Sequence, residues 1–232
     1  MKNKKLKIAI IIPAFKTEKY ILHTLDSIKK QNILDNFEID IRIGVDGCEK
    51  TAEVLKNNKI KFWMSFKNKG VAVMRNSLLY LSPADLYMIF DSDDIMLDDY
   101  IFKNVITAVK HGACRALAIR TDENLKSKKI GLRAMGAITI THQVLTQIGG
   151  YRNYRIFEDK DFYKRIEGIG IDISYPSGGL FLRRTQPNSI TQNKNKMDKD
   201  YLDWILKDIN NYLDKKDYYV KPELTELVYI DD

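Results

Sequence analysis

The chain has 232 residues, 44% of them hydrophobic and 30% charged, which suits one globular domain with a sizeable core. Its two cysteines, Cys48 and Cys114, and three scattered histidines exclude a disulfide scaffold and a zinc framework, and point to a reducing compartment. The net charge of +7 is dispersed among 31 acids, and no helix-turn-helix, zinc-finger or RNP-like pattern accompanies it, so nucleic acid is not an expected partner.

Residues 8–12, Ile8-Ala9-Ile10-Ile11-Ile12, read as a strand apolar on both faces, as at the centre of a parallel sheet. The run is too short for a signal h-region or a membrane span, which gives the expectation of a soluble, cytoplasmic protein. Weak contact with an anionic membrane surface is a secondary expectation from the basic patches at residues 2–7, 126–133 and 183–199. Pro13 ends the strand, and Ile21, Leu22, Leu25 and Ile28 mark one face of a helix over 18–30. Strands are predicted at 39–45 and 60–66 around a short helix at 51–57, and Asn68-Lys69-Gly70 opens a helix to about residue 81. A fourth strand covers 86–90, followed by a helix over 98–109. This alternation predicts an α/β fold: a doubly wound, mostly parallel sheet with helices on both faces. The second half is mixed. Strands are expected at 113–120, 137–140, 171–174 and 180–184, with a basic loop after the first. One helix should end at Gly149-Gly150 and another should follow Glu158-Asp159. A helical pattern returns over 198–213, where Tyr201, Ile205, Ile209 and Tyr212 share a side. No G-x-G-x-x-G or P-loop pattern follows any strand.

The densest chemistry is Asp91-Ser92-Asp93-Asp94, directly after the strand at 86–90. Carboxylates crowded on one turn repel unless water, donors or a cation offset them. A hard divalent ion such as Mg²⁺ or Mn²⁺ takes carboxylate and water oxygens and completes its shell with substrate phosphates. Ligands of open α/β sheets bind at this end of the strands. The plainer reading makes the acids caps of the next helix, but Asp98 and Asp99 already stand where that cap is needed. Asp46 follows the second strand and could accept a base N–H, or serve only an Asp-Gly turn. Asn68 and Arg75 flank a helix start suited to a diphosphate, unless Arg75 faces solvent. Glu158-Asp159 opens a later helix, where capping is the competing account.

The ordered set resembles the inverting family 2 glycosyltransferases of GT-A fold, from about Lys7 to Thr191. It comprises Ile10-Ile11-Ile12-Pro13-Ala14-Phe15, Ser27 and Gln31, Val45-Asp46-Gly47-Cys48, Asn68-Lys69-Gly70 with Arg75-Asn76, and Phe90-Asp91-Ser92-Asp93-Asp94. Gly149-Gly150-Tyr151, Glu158-Asp159-Lys160-Asp161, Arg165, and Arg183-Arg184 with Asn188-Ser189-Ile190 complete it. The resemblance implies one GT-A domain over 1–190, with a nucleotide-binding half (1–110), an acceptor-binding half (111–190) and a C-terminal helical extension (191–232). It implies that Pro13, Phe15 and Asp46 hold the nucleobase and that Asn68 and Arg75 support the nucleotide. Asp91 would lie near the ribose, Asp93 and Asp91 on a Mn²⁺ or Mg²⁺ ion, with Ser92 between them, and Asp159 would be the catalytic base. The expected partners are a nucleotide-sugar, with UDP favoured, and a glycan or lipid-linked glycan acceptor, in surface polysaccharide biosynthesis. Lys16 stands where Asn is usual, Cys48 where Ser is usual, and Gln186 where His is frequent; these bear on base preference and on one metal or phosphate contact. A D-x-D phosphohydrolase, with Asp91 as nucleophile and Asp93 as acid, and a non-catalytic nucleotide-sugar-binding domain are the alternatives. A nucleotidyltransferase lacks its Gly-rich N-terminal loop.

Overall fold

The computed structural model describes residues 5–185, 203–204, 206–210 and 218–231, with the backbone alone over 127–135. In chain order the elements are β1 (Leu6–Ala14), α1 (Ile21–Lys29), β2 (Phe37–Asp46), α2 (Glu49–Asn57), β3 (Phe62–Ser65), α3 (Val71–Leu79), β4 (Leu86–Ile89) and β5 (Ile95–Met96). There follow α4 (Tyr100–His111), β6 (Ala113–Thr121), β7 (Ser127–Thr141), α5 (His142–Ile148), α6 (Glu158–Gly168), β8 (Phe181–Arg184) and β9 (Val228–Ile230). The strands form one sheet in the order β5-β8-β6-β7-β4-β1-β2-β3-β9.

The alternation of strand and helix in the first 110 residues yields the parallel block β4-β1-β2-β3. The other half is mixed: β7 runs antiparallel to both β4 and β6, whereas β8 lies parallel to β6. The single-residue alternation of β1 divides the core. Ile8, Ile10 and Ile12 pack with α1, α2 and α4 residues such as Leu25, Leu55 and Val105. Ala9 and Ile11 face the opposite layer, with Met74 and Leu78 of α3, Val144 of α5 and Phe162 of α6. A strand buried on both faces needs apolar residues at every position, which is why this run does not alternate with polar ones.

Several expectations change. The basic stretch after residue 120 is no loop; it is the start of the 15-residue β7, joined to β6 in a hairpin with register shifts. The strand expected over 171–174 reduces to one bridge, Ser174 to Cys114. Asp99 occupies the N-cap position of α4 with a left-handed φ of 61° and makes no side-chain capping bond. The expected extension over 191–232 is helical at 203–204 and 206–210, but residues 218–231 contain no helix, and β9 within them pairs with the edge strand β3. Gln186, Asn188-Ser189-Ile190, Tyr201, Ile205 and Tyr212 lie outside the described residues. Among the described residues no helix is long and apolar enough to cross a membrane. Both cysteines are free and buried.

Candidate active site

The site is assembled at the carboxyl ends of β1, β2 and β4, and its acidic turn is held from two sides. Thr24 of α1, fully buried, donates its hydroxyl to the carbonyls of Ser92 (3.0 Å) and Asp94 (2.8 Å). From β8, the Arg184 N–H donates to Asp94 Oδ1 at 2.9 Å, and its Nε to the Asp93 carbonyl at 2.9 Å. Burial, with Asp93 and Asp91 nearby, pushes the Asp94 carboxyl well above the usual range. Asp94 therefore faces inward and braces the turn; Asp91 and Asp93 are the other two acids on it.

Asp91 is joined to the later acids through Arg75. This guanidinium, 3% exposed, donates through Nη2 to Asp91 Oδ1 at 3.0 Å and through Nη1 to Glu158 Oε1 at 2.9 Å. Burial alone would lower its pKa, but Asp91 and Glu158 outweigh that and hold it above its ordinary value. Arg75 is thus not solvent-facing; Nη1 and Nη2 are each engaged by a carboxylate. Its position on α3 one turn after Gly70, with α6 packed on the same side of the sheet, explains why.

Glu158 and Asp159 are the first two residues of α6, after Phe157 at the N-cap position in the left-handed conformation (φ 65°). Burial pushes Glu158 up to about 7 despite Arg75. Asp159 is also raised, first by burial, against the pull of Arg75 and of the Lys160 N–H; Asp91 adds to the rise and Arg115 opposes it. Asp159 therefore shares its electrostatic surroundings with the acidic turn. Asp161 does not, because it is fully buried between Arg165 Nε (2.9 Å) and Arg152 Nη1 (3.3 Å).

A second cluster lies beside this one. The Asp46 carboxylate, 3% exposed, accepts the backbone N–H groups of Lys69 (2.8 Å) and Gly70 (2.9 Å), and Asn68 Nδ2 reaches the Asp46 carbonyl at 3.4 Å. Burial, against those two N–H donors, raises its pKa. Asp46 thus ties the end of β2 to the loop before α3, a use that the sequence did not reveal. Pro13 is buried in β1 opposite Gly44, whereas Phe15 just beyond the strand is 42% exposed, with Lys16 Nζ 5.1 Å from its ring centre.

Three contributors escaped the sequence reading. Gly136 of β7 has φ +98°, and a Cβ there would stand 2.8 Å from Asp91 Oδ2; an isolated glycine within a strand pattern is the signal for such a close approach. Tyr163 accepts the Gly136 N–H at 3.1 Å, and Arg115 lies over the Tyr163 ring at 4.6 Å. Nothing in the local sequence marks the last two.

Among the described residues no group of three or more His, Cys, Asp or Glu could by itself hold a metal ion. Two carboxylates, Asp91 and Asp93, are what the turn offers, and they fit a hard divalent ion that draws its remaining ligands from water and a substrate diphosphate.

Known proteins agree with this architecture. TarS 1–349 of S. aureus in complex with UDP-GlcNAc superposes with a TM-score of 0.70 at 15% identity, over 91% of this chain and 66% of that one. The mannosyltransferase PcManGT of Pyrobaculum calidifontis, in complex with GDP-Man and Mn²⁺, gives a TM-score of 0.66 at 13% identity, over 90% and 70%. The chain spans only 60% of the TarS 1–349 chain in a further structure, at a TM-score of 0.62 and 17% identity. No curated protein matches. The family described as Glycosyl transferase family 2 matches residues 9–188, a stretch that includes the acidic turn, its arginine partner and the paired acids of α6. The chain belongs to glycosyl transferase family 2.

Proposed function

We propose that this chain transfers a sugar, with inversion, from a nucleotide-sugar to a hydroxyl of a glycan or lipid-linked glycan acceptor. The observation that carries the reading is the Asp91–Arg75–Glu158 bridge, which brings the acidic turn and the acids of α6 to one place. Donor and acceptor chemistry need those two groups side by side. Asp93 and Asp91 would hold Mn²⁺ or Mg²⁺ together with the diphosphate, and Asp91 lies toward the ribose. A bound ion supplies positive charge where the departing diphosphate gains negative charge.

Phe15 and Pro13 form the nucleobase side, with Asn68 and the loop that Asp46 fixes. Each Asp46 oxygen retains a second lone pair, so a uracil N3–H remains its assigned partner and UDP the assigned nucleotide. Arg75 acts from behind, by orienting Asp91. Asp159 takes the acceptor hydroxyl proton as the acceptor oxygen bonds to the anomeric carbon and the bond to the diphosphate breaks. One carboxylate serves this displacement, and no covalent glycosyl-enzyme is involved. The physiological setting assigned is surface polysaccharide assembly at the cytoplasmic side of a membrane.

Titration calorimetry and melting shifts with UDP, GDP and ADP, each with Mn²⁺ and with EDTA, test the donor half. UDP should bind more tightly with the metal, and Asp93→Asn should remove most of that gain. Equal affinity with and without metal makes the acids structural, and a larger shift with GDP removes the uridine assignment.

A further inference from the structure

Residues 218–231, outside the stretch matched by the family, cross the back of the site as a strap. The Gly150 N–H donates to the Val220 carbonyl, and the Val220 N–H to Ile148, both at 2.9 Å. Further along, the Thr225 N–H donates to Ser77 Oγ at 2.9 Å, and β9 then pairs with β3. The strap thus spans from the end of α5, across α3, to the sheet edge.

At the middle of that span is Asn76, fully buried and neighbour to Arg75. Its Oδ1 accepts the Tyr151 N–H at 2.7 Å, and its Nδ2 donates to the Tyr151 carbonyl at 2.9 Å and to the Glu223 carbonyl at 3.3 Å. One amide side chain therefore matches both backbone groups of a single residue and uses its other N–H on the strap. There is no spare room: a Cβ on Gly150 would stand 2.6 Å from Asn76 Oδ1 and 2.8 Å from Pro222. Tyr151, held in this way, stacks on Phe162 of α6 with ring centres 3.9 Å apart and planes 6° apart. On its face it also receives the Arg75 guanidinium at 5.3 Å. Arg75 in turn grips Glu158.

We propose that Asn76 is a positioning residue of the transfer site: with the strap, it sets Tyr151, and through Tyr151 the placement of Arg75 and of the first turn of α6. Asn76 touches no reacting atom. A buried amide whose oxygen and both N–H groups are used on backbone groups has one geometry that satisfies them, so it fixes the loop over 149–157 more tightly than apolar packing does. The placement of Asp159 relative to an acceptor hydroxyl depends on that loop, and sub-ångström placement governs the rate of a displacement. The inference rests on Asp159 being the base, but its first arm needs no substrate.

Hydrogen exchange of the full chain is compared for the wild type, Asn76→Ala and Ser77→Ala. In Asn76→Ala the amides of 149–157 and of the strap should exchange about tenfold faster or more, while those of β1 and β2 keep their protection. Single-turnover transfer should then slow by about tenfold or more at saturating donor, with nucleotide affinity within about twofold of wild type. Ser77→Ala, which frees the strap at Thr225 alone, should show the same pattern more weakly, and it decides the matter if Asn76→Ala does not fold. Wild-type transfer by a variant whose loop is released overturns the proposal, as does unchanged exchange over 149–157, or an equal loss of nucleotide affinity and rate. Absence of transfer by the wild type with any nucleotide-sugar refutes the proposed function instead, and leaves the exchange result to judge the hold on the loop.

Discussion

Asp159→Asn separates a chemical role from a structural one, because the two accounts lead to opposite changes in different measurements. Asp159 is the second residue of α6, and its Oδ1 accepts the Lys160 N–H at 2.7 Å; the amide oxygen of asparagine can accept the same bond. Loss of the negative charge at the helix start costs about 0.3–1 kcal/mol. Against that, burial holds the folded pKa of Asp159 above its unfolded value. The stability linked to this group is then fully present below the unfolded pKa and is lost as pH rises through the folded one. Above that folded pKa the ionised carboxylate is a net burden, which asparagine relieves. The terms oppose each other, and the net should lie within about 1 kcal/mol, or a Tm change within about 4 °C for a chain of this length. Loss of a general base slows transfer by roughly 10²–10⁴-fold, equivalent to about 2.7–5.4 kcal/mol of barrier. Single-turnover transfer at saturating donor, alongside scanning calorimetry of both forms, reads the two effects separately. A folded Asn variant with wild-type turnover refutes the assignment and leaves Glu158 as the candidate, since Asp161 is already committed to Arg165 and Arg152.

Three further outcomes follow from the same bridge. Arg75→Met leaves Asp91 and Glu158 without their shared cation; stability should fall by about 3–5 kcal/mol, and a melting shift of under about 3 °C would show the bridge to be dispensable. Gly136→Ala forces a Cβ against Asp91 Oδ2 and imposes a positive φ on alanine, at about 1–3 kcal/mol of strain; metal-dependent nucleotide binding should weaken, and wild-type affinity by calorimetry would remove Asp91 from the ligand set. Glu158, pushed up to about 7 chiefly by burial, contributes stability below its ordinary value of 4.5 that is lost as pH rises to 7. The wild type should therefore lose up to about 3 kcal/mol relative to Glu158→Gln across that window, and a pH-independent difference in urea unfolding would refute the shift.

How much of this was legible in the sequence differs by residue, and for a physical reason in each case. Local rules sufficed where a residue's surroundings are its chain neighbours. The unbroken apolar run Ile8-Ala9-Ile10-Ile11-Ile12 fixed a strand buried on both faces, and Asp91-Ser92-Asp93-Asp94 after an apolar run placed acids at the ligand-binding end of the sheet. The α/β alternation of the first 110 residues determined the parallel block. Arg75 could not be resolved in this way. Whether a guanidinium on a helix faces water, a diphosphate or two carboxylates depends on what packs over it, and its partners lie 16 and 83 residues away. Asp46 likewise looked free until the loop 23 residues later was seen to donate into it. The basic stretch after residue 120 read as a loop because its polarity suits one, yet pairing with β6 makes it a strand. The segment 218–231 has little periodicity of its own; its bonds to Ile148, Gly150, Asn76 and Ser77 give it a conformation. The sequence by itself determined the parallel strands β1 to β4, the acidic turn and the acids that open α6. Tertiary structure alone decided which of those charges face one another, because charge pairing is set by distance in space and not by separation along the chain.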